Sequence, residues 1–386
     1  MADVLTVLPS VPAAMLASNV IMDVKVVEGL SIYASLWPGP VRCLTRISSV
    51  RDQPYFSEYD PGILPFEVEF IDELEDASHL LDESAVILAA ADNHRDLDAV
   101  RITKAPVVYI IEYTLRTRLQ ILSVANAPRA AKLKSAAWVM GMELKRRKAF
   151  KAARGLQANG LPAYEAYAGL NPLPLLYYDS RLLAADGATA EDIARKRQAV
   201  LTGFPLRLAF SGRLERMKGA DYLIPLAKDL SERGVQFSLA IYGEGELRPE
   251  METMAARIGV ADLVTFHGPV DFRDTLVPAL KSDVDLFVCC HMQGDPSCTY
   301  LETIGCGVPI VGFANAAWEG VLKLGRCGLS VRMGDTQGLA DCIASLSQDR
   351  NGLAELIDGT HRVSTGRSFE DTFARRVQHL RSASGR

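Results

Sequence analysis

Short apolar runs that are continuous rather than alternating constrain this 386-residue chain more than any other feature. VLTVL (4–8), AVILAA (85–90) and PVVYII (106–111) fall in the first half. LRLAFS (206–211), FSLAIY (237–242), LVTFH (263–267), DLFVCC (285–290) and VPIVGF (308–313) fall in the second. A strand apolar on both faces must be covered on both faces, as in a parallel sheet between helices. Each run is followed by a segment of helical character, such as ADYLIPLAKDLSERG (220–234), so the pattern predicts α/β architecture.

The chain is too long for one ordinary core and suits two domains. The alternation is crisp from 206 to 346 and looser over 9–80 and 155–200, where Pro, Gly and Tyr are frequent. The charged helical stretch AEDIARKRQAVLTGFP (190–205) separates the halves, which places a hinge near Thr202 to Pro205. The expected domains are 1–202 and 203–364, and the helical period of TGRSFEDTFARRVQHL (365–380) predicts a terminal helix.

Composition excludes several classes. Hydrophobic residues at 48% and charged residues at 23% are those of a soluble globular protein. A net charge of −5 is not that of a dedicated nucleic-acid binder. The start MADVLTVLPSVPAA has no basic region ahead of its apolar run, so no secretory leader is expected. No apolar window is long enough to span a bilayer. Of seven cysteines, six lie after residue 288; none forms a CxxC or stands beside histidines at zinc spacing. Reduced, buried thiols in a cytoplasmic protein are the expectation, with no metal and no bound cofactor.

In open α/β sheets, ligands sit at the carboxyl ends of the strands. After LRLAFS comes GRLERMKG, with Gly212 and then Arg213 and Lys218 flanking a turn. Two such cations suit a diphosphate, since Arg pairs with phosphate oxygens and Lys supplies a point charge. They also suit an ordinary solvated surface. After FSLAIY comes GEGELR, beginning at Gly243; Arg248 stands where a dinucleotide fingerprint would have its third glycine. After LVTFH comes Gly268, next to His267. A Walker lysine motif is absent, which excludes P-loop chemistry.

The fourth edge segment is QGDPSCTYLETIGCGVPIVG (293–312). Asp295 or Ser297 suits a helix cap and Pro296 its first turn. The N–H groups of Cys298, Thr299 and Tyr300 would then face the ligand edge as an anion site. Glu302, one turn deeper on the face of Cys298 and Thr299, can accept two hydroxyl hydrogen bonds, as from a ribose. It also suits the helix dipole, worth about 0.3–1 kcal/mol. Gly305 and Gly307 end the helix. Taken together, phosphate, ribose and turn chemistry on one sheet edge point to a nucleotide-diphosphate site.

GRLERMKG, LAIYGEGELR, VTFHGPV, DLFVCC and DPSCTYLETIGCGVPIVG resemble, in order and spacing, the family 4 glycosyltransferases. These are retaining enzymes of the GT-B fold, two Rossmann-like domains with parallel sheets facing a central cleft. The resemblance covers about 204–346. It implies that Arg213 and Lys218 hold the donor diphosphate, Glu302 the ribose, and the amides of Cys298 to Tyr300 the distal phosphate, with His267 and Gly268 near the base. It further implies an acceptor-binding first domain, a donor-binding second domain, and a terminal helix (about 365–386) that packs back on the first. The family often has a Glu eight residues before the ribose-binding one; here that position is Gly294, with Asp295 or Gln293 as the neighbouring substitute.

The implied activity is transfer of a hexose from a UDP- or GDP-sugar, without a metal, to a glycan or lipid-linked acceptor in cell-surface or exopolysaccharide assembly. A sugar-nucleotide binder without turnover and a GT-B epimerase remain as alternatives. A phosphorylase would need a pyridoxal lysine that no motif proposes. Acceptor contacts are expected at first-half strand ends: Asn93 and His94, Glu112 and Tyr113, and Asn159 in NGLPAYEAY (159–167), read as a loop. Residues 129–154 hold nine basic residues and one acid, with Trp138, Met140, Met142 and Phe150 among them. That mix suits either peripheral membrane contact at the inner face or a solvated helix packed on the core.

Overall fold

A computed structural model describes residues 3–48, 56–124, 128–203, 205–294 and 296–385. The chain divides into two compact units. The first comprises 1–119, 127–177 and 370–386, and the second 120–126 and 178–369.

The first unit is built on β1 (Val4–Leu8), β4 (Val41–Thr45), β6 (Glu67–Phe70), β7 (Ser84–Ala90), β8 (Val107–Ile111), β9 (Gly155–Asn159) and β10 (Pro174–Tyr177). They form one sheet in the order β10-β9-β8-β7-β1-β4-β6, parallel throughout. The strand order reverses between β1 and β7. A small antiparallel sheet of β2 (Ala14–Leu16), β3 (Asn19–Asp23) and β5 (Phe56–Tyr59) accompanies it.

The second unit holds β11 (Leu206–Ser211), β12 (Phe237–Tyr242), β13 (Val264–Gly268), β14 (Leu286–Cys289), β15 (Ile310–Phe313) and β16 (Gly328–Val331). Their order, β13-β12-β11-β14-β15-β16, is that of a doubly wound sheet with its switch point between β11 and β14. Every neighbouring pair is parallel. Leu208, Phe210, Ile241, Val288, Val311 and Phe313 from these strands are buried in one core with helix residues such as Leu226 and Ile343. That burial on both faces is why the runs are continuously apolar.

Two expectations need correction. The domain boundary lies at Tyr177/Tyr178, about 25 residues before the expected hinge. The helix Ala190–Thr202 belongs to the second unit because its Ile193 and Val200 enter that core. Its buried Lys196 donates to the carbonyls of Leu280 (2.8 Å) and Val284 (2.6 Å). The segment 159–167 is not a loop: Asn159 closes β9, and Leu161–Tyr167 is a helix with Pro162 in its first turn.

The terminal helix Phe369–Ser384 returns to the first unit from Glu370 onward. Arg376 Nε donates to Gln157 Oε1 at 2.9 Å and its guanidinium lies over the Tyr177 and Phe373 rings. Arg381 Nη2 donates to the Leu36 carbonyl at 3.0 Å.

Candidate donor site at the switch point of the second unit

The loops after β11, β12 and β13 are stitched edge to edge. Gly212 N donates to Tyr242 O (3.0 Å), and Gly243 N to Gly268 O (2.7 Å). Gly243 has φ +135°, and a Cβ there would stand 2.0 Å from the Gly212 carbonyl, so only glycine admits this approach. Across the switch point, the loop after β11 meets the loop after β14. Gly219, at φ +67°, lies so near the backbone that a Cβ would come within 1.9 Å of Cys290 O. Met292 N donates to Met217 O at 3.2 Å beside it.

These turns carry the predicted cations. Arg213 Nη1 is 3.1 Å from Glu215 Oε1, with the arginine side chain half-exposed. Lys218 closes the short 3-10 turn Arg216–Lys218, just before Gly219. His267 is exposed at the end of β13, its ring stacked on the buried Tyr242 with centroids 4.6 Å apart and planes 10° from parallel. An aromatic face of that kind suits stacking by a planar ligand.

The helix Cys298–Gly305 follows β14. Its cap differs from expectation. Ser297 is the N-cap by backbone geometry, but its hydroxyl donates to Thr299 Oγ1 (3.1 Å) and makes no side-chain cap bond. Pro296 precedes the cap and is outside the first turn, and Asp295 lies outside the described residues. Tyr300 N donates to Ser297 O at 3.3 Å, so this amide is already taken by the turn, and the Tyr300 side chain is core. Tyr300 Oη accepts from Asn315 Nδ2 at 2.9 Å, and its ring stacks on Trp318. The helix ends as predicted: Gly307, at φ +75°, donates to Ile304 O (2.9 Å) and Val308 N to Thr303 O (3.2 Å).

One face of this helix lies along residues 179–188. Cys298 Sγ donates to Asp179 Oδ2 at 3.4 Å. Glu302 Oε1 accepts from Arg181 N (3.3 Å) and Arg181 Nε (3.1 Å). Gly305 O accepts from Ala188 N at 2.7 Å, and a Cβ at 305 would strike Leu182 Cδ2 at 2.3 Å. The Arg181 guanidinium sits 4.2 Å over the Phe272 ring. Sequence reasoning missed Arg181, because nothing in YYDSRLL distinguishes it from any arginine in a polar loop.

Gln293 is 98% buried, since only 2% of it is exposed, and its Oε1 has no hydrogen-bond partner among the described residues. Gly294 is buried too; a Cβ there would press on Ala316 Cβ at 3.2 Å. No group of three or more His, Cys, Asp or Glu placed to hold a metal occurs among the described residues.

In the first unit, the candidates His94 and Glu112 follow β7 and β8, and Asn159 is buried at the end of β9. The His94 ring packs edge-on against Trp138 (centroids 4.8 Å), and Lys145 Nζ donates to its carbonyl at 3.4 Å. Burial, with Arg146 and Lys145 nearby, pushes the His94 pKa below its ordinary value. The charged group at this edge that the sequence did not reveal is Asp92, paired with Arg118. Arg146 is buried beside it and donates from Nε to Ala91 O (3.3 Å).

Residues 205–349 match the family model described as Glycosyl transferases group 1. Over that stretch the chain is similar to the group 1 glycosyltransferases, and its fold is GT-B. The chain is 32% identical over 158 residues to the GDP-mannose-dependent alpha-(1-6)-phosphatidylinositol monomannoside mannosyltransferase of Mycolicibacterium smegmatis. That match covers 39% of this chain and 41% of the relative. The lipopolysaccharide core biosynthesis glycosyltransferase LpsE of Rhizobium meliloti is 29% identical over 155 residues, covering 40% and 43%. The chain thus spans less than half the length of these curated relatives. The fold extends further: Anabaena HepE, solved in complex with UDP, superposes with a TM-score of 0.67 at 16% identity over 99% of this chain and all of that one. WaaG, a glycosyltransferase of lipopolysaccharide biosynthesis, superposes at 0.63 with 12% identity over 97% and 99%.

Proposed function

We propose that this chain transfers a hexose, with retention, from a UDP- or GDP-sugar to a glycan or lipid-linked glycan acceptor in the cytoplasm, in surface polysaccharide assembly. The observation that carries the reading is one of placement: Arg213 and Lys218 after β11, the His267–Tyr242 stack at the ends of β13 and β12, and the helix Cys298–Gly305 with Glu302 after β14 all belong to the carboxyl edge of one parallel sheet. Arg213 and Lys218 would hold the diphosphate, with the amides of Cys298 and Thr299 on the distal phosphate. The ribose would meet Glu302 and the base the turn at His267 and Gly268. Positive side chains and a helix N-terminus would stabilise the leaving diphosphate in place of a metal. The solved relative HepE with UDP and the mannosyltransferase relative support a nucleotide-sugar donor.

A second reading, sugar-nucleotide binding without turnover, is favoured by Gly294, where the family often has a Glu. One experiment separates them: incubate the chain with UDP- and GDP-sugars, a glycan acceptor panel and EDTA, and follow nucleotide release and the product's anomeric configuration. Transfer with retention in EDTA supports the first reading. Tight donor binding without release on any acceptor supports the second. Arg213→Ala should weaken the donor by about 1.5–3 kcal/mol, and unchanged affinity and turnover would remove the diphosphate assignment.

A further inference from the structure

The helix Arg129–Ala152 turns an apolar stripe outward. Its core face holds Val139, Glu143, Arg146, Ala149 and Phe150, all buried. Phe150 and Arg146 are therefore core groups and not the surface anchor and cation the sequence suggested. On the opposite face, Leu133 (74% exposed), Met140 (58%) and Leu144 (66%) recur at seven and four residues, one above another. Trp138, 49% exposed, is two residues from Met140 and so lies on the other flank of the helix, where its ring meets His94. Lys134, Lys148 and Lys151 are exposed beside the stripe, and the helix's one acid, Glu143, is on the buried side.

An outward helix face normally sheds large aliphatic residues; three in register are an unpartnered surface. Its basic margin selects the occupant. A second copy of this chain would bring like charges together along the margin. An anionic lipid surface complements it, taking the apolar stripe into the acyl boundary and the lysines at the headgroups. The chain as a whole carries −5, so this face is where such a surface can approach. Among the described residues no helix is long and apolar enough to cross a membrane, so the contact is one of lying on the surface. We propose that the outer face of Arg129–Ala152 docks this protein on an anionic membrane. The docking stands on its own, whatever reaction the switch-point site performs.

Vesicle co-sedimentation provides the test. The full chain is mixed, without nucleotide sugar, with phosphatidylcholine vesicles containing or lacking phosphatidylglycerol. Expected is co-sedimentation with the anionic vesicles only, weakened by salt. Leu133→Gln/Met140→Gln/Leu144→Gln should abolish it while leaving the melting temperature unchanged. Lys134→Glu/Lys148→Glu/Lys151→Glu should lower partitioning at least about a hundredfold, from roughly fivefold per charge. Absence of co-sedimentation by the wild type overturns the proposal, as does wild-type binding by either variant. A wild-type dimer without vesicles that becomes a monomer in the glutamine variant would also overturn it, in favour of a second copy. Loss of sugar transfer with docking intact would count against the proposed function alone.

Discussion

Glu302 commits one oxygen to Arg181: Oε1 accepts both the Arg181 amide, at 3.3 Å, and its Nε, at 3.1 Å. Oε2 accepts no hydrogen bond among the described residues, so one lone-pair set of a buried carboxylate remains for a ligand. Arg181 is thereby a positioning residue, fixing the carboxylate that would read a ribose. Arg181→Ala should raise the donor KM about tenfold or more, in keeping with about 1.5–3 kcal/mol for a charged hydrogen bond, while kcat falls less. Glu302→Gln should weaken the donor similarly, and the double variant should be no worse than the weaker single one. Additive losses in a double-mutant cycle would refute the coupling.

Gly219 holds the two loops of the switch point together by having no side chain. At φ +67°, with Cys290 O 1.9 Å from where a Cβ would be, Gly219→Ala must move one loop from the other. Backbone strain alone costs about 1–3 kcal/mol, and the overlap adds to it. Chemical denaturation should show that loss. Donor affinity measured on the folded fraction should fall too, because Lys218 adjoins the shifted residue. A Gly219→Ala protein of unaltered stability would contradict this packing.

Lys196 gives a pH signature. Burial pushes its pKa down to about 8, against the opposing charge of Asp285. Between about 8 and the ordinary lysine value the unfolded chain binds a proton that the folded chain does not. Stability attributable to Lys196 therefore rises with pH across that window, and the penalty is fully present below it. Wild type should gain on Lys196→Met by up to about 3 kcal/mol from pH 7 to pH 10.5. A constant difference between the two melting curves would show that the amine titrates normally.

The thiols should divide sharply on alkylation. None of the seven cysteines is in a disulfide, and five are buried. Burial pushes Cys43, Cys306 and Cys327 up to about 12, so they present almost no thiolate at neutral pH. Only Cys298 and Cys342 are partly exposed. Mass spectrometry of the native chain after iodoacetamide should find label at no other cysteine. UDP or GDP should protect Cys298 and leave Cys342 unchanged. Equal labelling of Cys298 with and without nucleotide would place the ligand elsewhere.

The second-unit sheet was readable because its signal is local. LRLAFS and VPIVGF are buried or half-buried throughout and FSLAIY at every residue but Ser238, and hydrophobicity alone marks them. GLQAN (155–159) is equally buried, but its Gln157 is satisfied by Arg376, a residue 219 positions away. A partner that distant leaves no mark on the local pattern, so β9 was missed and Asn159 was read as loop. The same holds at the site. Glu302 announced itself through helix spacing, whereas Arg181 acquires its role only when a residue 121 positions away folds back on it. The Ser297 cap failed for a nearer reason: the Thr299 hydroxyl two residues on competes for its side chain.

The division of the chain also dictates an order of completion during synthesis. The second unit occupies 120–126 and 178–369, while the first needs the helix that begins near Glu370 to cover Tyr33, Gln157 and Tyr177. A nascent chain released only as far as residue 369 therefore has every strand of the switch-point sheet, yet its first unit still lacks a wall. Loss of the residues from 370 onward would thus damage the amino-terminal unit and spare the one encoded later.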